Sequence, residues 1–174
     1  MNNRGEKKKW YAVYTRSRSE KVVARELTKS GIEHYLPIYK SLKQWSDRKK
    51  FVEEPLIRSY LFVYISMEQY YEVLNTIGVV TIVKFSGKPV SIPEWQIKNL
   101  KILLSSGSVF EHVTNEFNTG DMVKITSGSL KGLTGTVLTI KDKQKLMIGI
   151  DSLEHNYIVD ISTYFIEPVV GTVY

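Results

Sequence analysis

Apolar positions in this chain fall into two regimes. Up to about residue 105, short β-branched and aromatic runs alternate with stretches where apolar side chains recur every three or four positions; after Gly120 only the short runs persist. Residues 10–15 (WYAVYT) predict a strand. Ser17 stands three before Glu20, the spacing of a capping box, and Val23, Ala24 and Leu27 then share one side of a helix that Gly31 closes. Residues 34–40 (HYLPIYK) predict a strand confined to an edge by Pro37. Residues 41–54 (SLKQWSDRKKFVEE), polar and charged around Trp45 and Phe51, predict an extended hairpin or loop. The run 59–65 (SYLFVYI) is the strongest strand signal, apolar enough for burial on both faces. Ser66 with Gln69 repeats the capping spacing and opens a second helix through Tyr70, Val73 and Leu74; Gly78 ends it, and 79–85 (VVTIVKF) follows as a strand. Ser91, Pro93 and Glu94 start a third helix whose apolar stripe is Ile97, Leu100, Ile102, Leu103 and Leu104.

Residues 105–119 (SSGSVFEHVTNEFNT) are rich in Ser, Thr and Asn and lack sustained periodicity, which predicts a linker, set at 107–117. Beyond it come DMVKIT, LTGTVLTIK, KLMIGID, HNYIVDI and YFIEPV, strands too short and too few for a sandwich but suited to a small barrel. The expected fold class is therefore α+β: an antiparallel sheet with helices over 9–106, then a small all-β barrel over 118–170.

Composition narrows the function. In 174 residues there is no cysteine, which excludes a disulfide framework, a zinc finger and a thiol nucleophile. No apolar run is long enough for a membrane span, and no apolar stretch follows the basic N-terminus as in a signal peptide, so a cytoplasmic protein without membrane attachment is expected. His34, His112 and His155 lack ligand-like spacing, and no hydrolase, metalloprotease or nucleotide-loop motif occurs. Adjacent Glu53 and Glu54 on an extended strand face opposite ways. No catalytic residue, metal site or cofactor is expected, and the chain reads as a non-enzyme. The net charge of +6 is unevenly spread: residues 1–60 carry 15 Lys/Arg against 7 Asp/Glu, and the remainder is slightly acidic. A basic first third suits a polyanionic partner. Within it, Trp45 is placed to stack on an unpaired base while Arg48, Lys49 and Lys50 track phosphates, with Arg16 and Arg18 extending that surface.

Two motifs go further. Gly120-Asp121-x-Val123-x-Ile125-x-x-Gly128-x-x-x-Gly132-x-x-Gly135-x-Val137 places glycines at tight turns and points Val123, Ile125 and Val137 into a small barrel. This spacing resembles the KOW motif of NusG-type transcription factors and of some ribosomal proteins. Upstream, Trp10-Tyr11-x-Val13, Glu20, and Pro55-Leu56-Ile57-Arg58-Ser59-Tyr60-Leu61-Phe62-Val63 resemble the NusG N-terminal domain. WYAVYTRSR, EPLIRSYLFV and IVKFSGKPVSIP resemble the RfaH paralogues, and QWSDRKK followed by PL…YLFV resembles the UpxY group of capsular-polysaccharide antiterminators.

The resemblance implies a monomeric transcription elongation and antitermination factor, acting on polysaccharide operons. Its N-terminal domain would bind the clamp helices of bacterial RNA polymerase, and the basic hairpin would meet the non-template DNA strand. Its KOW domain would recruit a small-subunit ribosomal protein or Rho. Carried onto this chain, the clamp patch is Tyr14, Leu56, Ile57, Phe62 and Ile82, with Ile57 exposed just before its strand. Ile57-Arg58-Ser59-Tyr60 stands where relatives show Phe-Pro-Gly-Tyr, so the anchor is aliphatic and Arg58 adds a charge for acidic clamp residues. Tyr70 and Tyr71 stand where RfaH has its gate-loop contact, and Leu153 falls in the expected partner loop of the barrel. The competing readings are a KOW module that binds ribosome or RNA, and a non-catalytic protein scaffold.

Overall fold

The computed structural model describes residues 7–44, 48–113, 120–140, 143–161 and 164–169. Contacts divide the chain into two compact units between Pro93 and Glu94. In the first, β1 (Lys9–Thr15) leads into α1 (Glu20–Lys29), then β2 (His34–Tyr35), β3 (Ile38–Gln44), β4 (Lys49–Pro55) and β5 (Tyr60–Ile65). A turn of 3₁₀ helix over Met67–Gln69 feeds α2 (Tyr70–Leu74), followed by β6 (Val79–Ile82), β7 (Lys84–Phe85), β8 (Lys88–Pro89) and β9 (Ser91–Ile92).

The main sheet of this unit is antiparallel in the order β2-β5-β1-β6, with β9 also paired to β1. Register sorts its residues by period two. Tyr11 lies opposite Val63 and Val13 opposite Leu61; these four share a buried cluster with Val23 and Leu27 of α1 and Val73 of α2. The opposite face of the sheet is aromatic, with Trp10 opposite Tyr64, Ala12 opposite Phe62 and Tyr14 opposite Tyr60. The run 59–65 is thus apolar on both faces because it is the inner strand between β2 and β1.

Pro37 splits the expected strand 34–40. Its first half joins the main sheet as β2, while the second half starts the separate β3-β4 hairpin, paired from Ile38–Pro55 out to Gln44–Lys49. The run 79–85 likewise divides into β6 and β7, with Val83 donating its N–H to Ala12 between them. Neither capping box forms. Ser19 is the N-cap of α1 and Ser66 that of the 3₁₀ turn, and neither side chain caps its helix. Glu20 instead turns its carboxylate to the backbone N–H of Ser59, at 2.6 Å.

The second unit comprises α3 (Glu94–Ser105), β10 (Phe110–Val113), β11 (Met122–Ile125), β12 (Thr134–Ile140), β13 (Lys143–Ile150), β14 (His155–Asp160) and β15 (Ile166–Pro168). Its six strands pair antiparallel in the order β10-β14-β13-β12-β11-β15. Alternate residues Leu146, Ile148 and Ile150 of β13 are buried with Val123, Ile125 and Tyr157. Val137, expected inside, is half-buried while Leu138 is 5% exposed. Gly132 takes a φ of +90°, and a Cβ at Gly135 would run into the carbonyl of Met147, which accounts for two glycines of the motif.

Two features differ from the expected domain plan. The segment expected to be linker at 107–117 contains β10, whose Phe110 packs edge-on against Tyr157 at 5.8 Å. The third helix, expected to close a first domain at residue 106, shares its unit with the barrel. Asn99 brackets the main chain of Thr134, donating to its carbonyl and accepting from its N–H at 3.1 Å, and Gln96 donates to Asp151 at 2.6 Å. These buried amides have no partner in α3 itself, so they hold the helix where the barrel supplies one.

Candidate interaction surfaces

In the first unit, the aromatic face of the sheet is accessible at its Tyr14 end, while Trp10, Ala12 and Phe62 on the same face are buried. Tyr14 is 40% exposed and its ring lies 5.2 Å from that of Tyr60. Burial and the neighbouring Tyr14 push the Tyr60 phenol above its ordinary pKa. Behind them Tyr35 stacks on Phe62 at 6.5 Å, and burial raises its pKa to about 12. Both rings stay neutral at physiological pH, which suits apolar contact with hydrogen-bonding tips.

The expected docking residues separate by depth. Tyr14, Leu56 and Arg58 are accessible, Leu56 being half-buried with its N–H on the Pro37 carbonyl. Ile57, Phe62 and Ile82 are 1%, 0% and 0% exposed, so the structure places them in the core rather than on a surface. Ile57 is buried because its turn folds inward: the Ile57 carbonyl accepts the Tyr60 N–H, leaving Arg58 to face solvent. Ile82 lies opposite Val13 on the helix side of the sheet, away from Tyr14. Tyr70 is half-buried against the core under the ammonium of Lys84, 5.6 Å from its ring centre, whereas Tyr71 is 72% exposed. The exposed Phe85, between Lys84 and the turn at Ser86 and Gly87, was not singled out from sequence; an aromatic flanked by turn residues carried that signal.

The basic side chains spread over several elements. Arg16 and Arg18 are exposed ahead of α1, and Arg48, Lys49 and Lys50 are exposed at the start of β4; Trp45 lies outside the described residues. Strand alternation sends Lys49 and Lys50 to opposite faces of the hairpin. Lys50 is paired across the ladder with Lys43, whose ammonium turns to Glu54. That ion pair, with Ser41 donating to the same carboxylate at 3.0 Å, holds Glu54 below the usual carboxylate range. On the other face, Phe51 is 69% exposed and shares its side with Lys49. It is an exposed aromatic beside exposed cations, an arrangement the sequence reading gave to Trp45 alone.

Where α1 meets the hairpin stem there is a cleft of about 450 Å³, lined by Arg18, Glu20, Lys21, Lys43, Glu54 and Arg58, among others. Arg18 and Ser59 on its walls hold φ values of +62° and +63°. Left-handed backbone at non-glycine residues costs about 1 kcal/mol or more each and persists only when its surroundings impose it; at Ser59 the bond from its N–H to Glu20 does so. In the second unit, Leu153 is half-buried in the 3₁₀ turn Asp151–Leu153 between β13 and β14. His155 reaches the Leu153 carbonyl at 2.8 Å, and Gln96 holds Asp151 in the same turn.

Among the described residues there is no group of three or more His, Asp or Glu suited to a metal ion, and no helix is long and apolar enough to cross a membrane. A sheet-and-helix unit bearing a basic hairpin, followed by a small barrel with KOW glycines, is the fold expected of the NusG-type class. The family model described as "Transcription termination factor nusG" matches residues 8–101, and that of the KOW motif matches residues 119–148. The chain belongs to the NusG family, and the expected fold class is borne out.

It is similar to the transcription termination/antitermination protein NusG of Chlamydia trachomatis, at 28% identity over 93% of this chain and 96% of that protein. The Rickettsia conorii protein of the same name is 24% identical over 82% of this chain and 81% of its own length. Among solved structures, that titled "Domain interaction in Thermotoga maritima NusG" is similar with a TM-score of 0.51 and 26% identity, covering 94% of this chain and 98% of that one. The protein is a NusG-type transcription termination/antitermination factor.

Proposed function

We propose that this chain is a non-catalytic elongation and antitermination factor that docks on the clamp helices of RNA polymerase through the surface around Tyr14. The observation that carries this reading is the Tyr14–Tyr60 pair at the accessible end of the sheet's aromatic face, with Leu56 and Arg58 accessible in the same unit. A shallow aromatic surface with one cation suits a helical hairpin of mixed charge. Ile57, Phe62 and Ile82 are core residues and take no part in the contact. Tyr71 is the accessible gate-loop candidate, backed by Tyr70 at 5.3 Å.

The β3-β4 hairpin contacts the non-template DNA strand, with Lys49 and Phe51 on one face and Lys50 and Lys43 on the other. Neutralising five phosphates of a single strand would give a log–log salt slope of roughly −3.5. The turn bearing Leu153 is the docking point for a ribosomal protein or Rho. The polysaccharide-operon assignment is supported by the paralogue-like segments QWSDRKK and EPLIRSYLFV.

The test is binding of the purified full chain to a reconstituted elongation complex. Tyr14→Ala should weaken binding about tenfold or more without changing the melting temperature, the loss expected for truncating an aromatic anchor. Lys49→Ala with Lys50→Ala should flatten the salt dependence instead. Undiminished binding by Tyr14→Ala would move the polymerase contact off this face.

A further inference from the structure

We propose that the cleft between the first turn of α1 and the stem of the β3-β4 hairpin is a binding site for a phosphate oxyanion. Four cationic side chains from three separate segments line it: Arg18 and Lys21 from the start of α1, Lys43 from β3, and Arg58 from the turn before β5. Its two carboxylates are already engaged. Glu20, 5% exposed, accepts the Ser59 N–H, and Glu54 accepts from Lys43 and Ser41. Lys21 is tied to the Glu53 carbonyl at 3.3 Å, which joins the helix to the stem.

Arg18 and Arg58 make no ion pair or hydrogen bond with any described residue. Two guanidiniums lining one cleft, Arg58 acting on Glu54 through its charge but in no ion pair with it, match a phosphate better than a single ammonium does. The cleft's volume falls in the range of small-ligand sites. The Glu20 bond holds the backbone of Ser59, beside Arg58, at its positive φ, so that wall of the cleft is fixed at the main chain.

This site needs no polymerase. The clamp-docking surface centres on Tyr14 and Tyr60 of the sheet and shares only Arg58 with the cleft, where the oxyanion would be held between helix and hairpin. The shared chemistry, a phosphate mono- or diester, has two sources: the backbone of a nucleic-acid strand running along the hairpin, or a free phosphorylated small molecule.

The experiment titrates inorganic pyrophosphate into ¹⁵N-labelled full chain and follows the backbone amides, then repeats the titration with a 12-nucleotide single-stranded DNA present. Shifts centred on Ser17–Lys21 and Arg58–Ser59 are expected, with affinity at least about tenfold lower in Arg18→Gln/Arg58→Gln. A second variant, Arg25→Gln on the exposed side of α1, controls for general loss of charge and should keep the affinity. If DNA competes with pyrophosphate for these amides, the source is a nucleic-acid backbone. If pyrophosphate binds and DNA does not displace it, the source is a free phosphorylated compound. No shift at these amides, or equal affinity in the double variant with its amide spectrum otherwise intact, overturns the proposal, while Tyr14→Ala binding to polymerase is unaffected by either result.

Discussion

Ile57→Ala distinguishes a supporting core residue from a contact residue, because the two roles predict different observables. The side chain is 1% exposed, and truncation removes three carbons from a filled site. At ~0.8 kcal/mol per buried methylene the transfer loss is about 2.4 kcal/mol. The residual cavity brings the total into the range of about 2–5 kcal/mol measured for such truncations. With an m-value of about 1.5 kcal/mol/M, a loss of ~3 kcal/mol lowers the urea midpoint of the first unit by about 2 M. Trp10, 5% exposed in β1, reports that transition once Trp45 and Trp95 are replaced by Phe in a common background. Below the transition, Ile57→Ala should still bind the elongation complex within about threefold of the parent, since the side chain has almost no surface to offer. A midpoint shift under about 0.3 M together with lost polymerase binding would refute this reasoning and make Ile57 a contact. Ile57→Glu is a poor probe of docking, because a carboxylate there is buried without a partner and unfolds the unit before any interface is tested.

Glu20→Ala leaves the Ser59 N–H without its acceptor and should cost about 1.5–3 kcal/mol by urea denaturation, while Glu20→Gln, which keeps an acceptor oxygen, should recover most of it. Gly135→Ala drives a methyl into the Met147 carbonyl and should destabilise the barrel by about 1–3 kcal/mol, read as a lowered second thermal transition with the first unchanged. Burial, and then the nearby His155 ring at 5.3 Å, lower the pKa of His112. The folded state therefore resists protonation more than the detached strand does. The β10-β14 pairing is fully favoured above the ordinary histidine pKa of about 6.5 and weakens as pH falls through the depressed value. Protection factors of the amides of residues 110–113, taken against the intrinsic exchange rate at each pH, should fall between about pH 7 and pH 5, and His112→Gln should abolish that dependence. The groups facing His112 are His155 and Tyr157 of β14, and the adjacent Glu111 pairs with Lys145 at 3.6 Å; an unchanged profile in the variant would assign the effect to groups other than His112.

Much of the fold was legible because it rests on local pattern. Period-two alternation in WYAVYT and SYLFVYI, the 3.6-residue stripe at Val23 and Leu27, and the glycines spaced through the barrel each act on neighbouring residues. The basic bias of the first third and the KOW glycines pointed to the family by the same local means. The failures share a cause as well. Ser17 and Glu20 have capping spacing, but the Glu20 carboxylate found an N–H 39 residues away, a choice set by how α1 lies against the turn before β5. Ile57 looked exposed because Arg58 follows it and a strand begins nearby, yet the inward fold of the turn buried the one and exposed the other.

By itself, then, the chain's order of apolar and polar positions determined most of the segments that are strands and helices, and that a small barrel follows Gly120. Only the tertiary structure decided depth and company. It placed Phe62 and Ile82 under the surface rather than on it, seated α3 in the barrel's unit through the amides of Asn99 and Gln96, and gathered Arg18, Lys21, Lys43 and Arg58 around one cleft. The physical reason is the range of the interactions. Propensity and periodicity act over a few residues, whereas burial and the pairing of buried polar groups are satisfied by whichever distant segment the packing brings alongside.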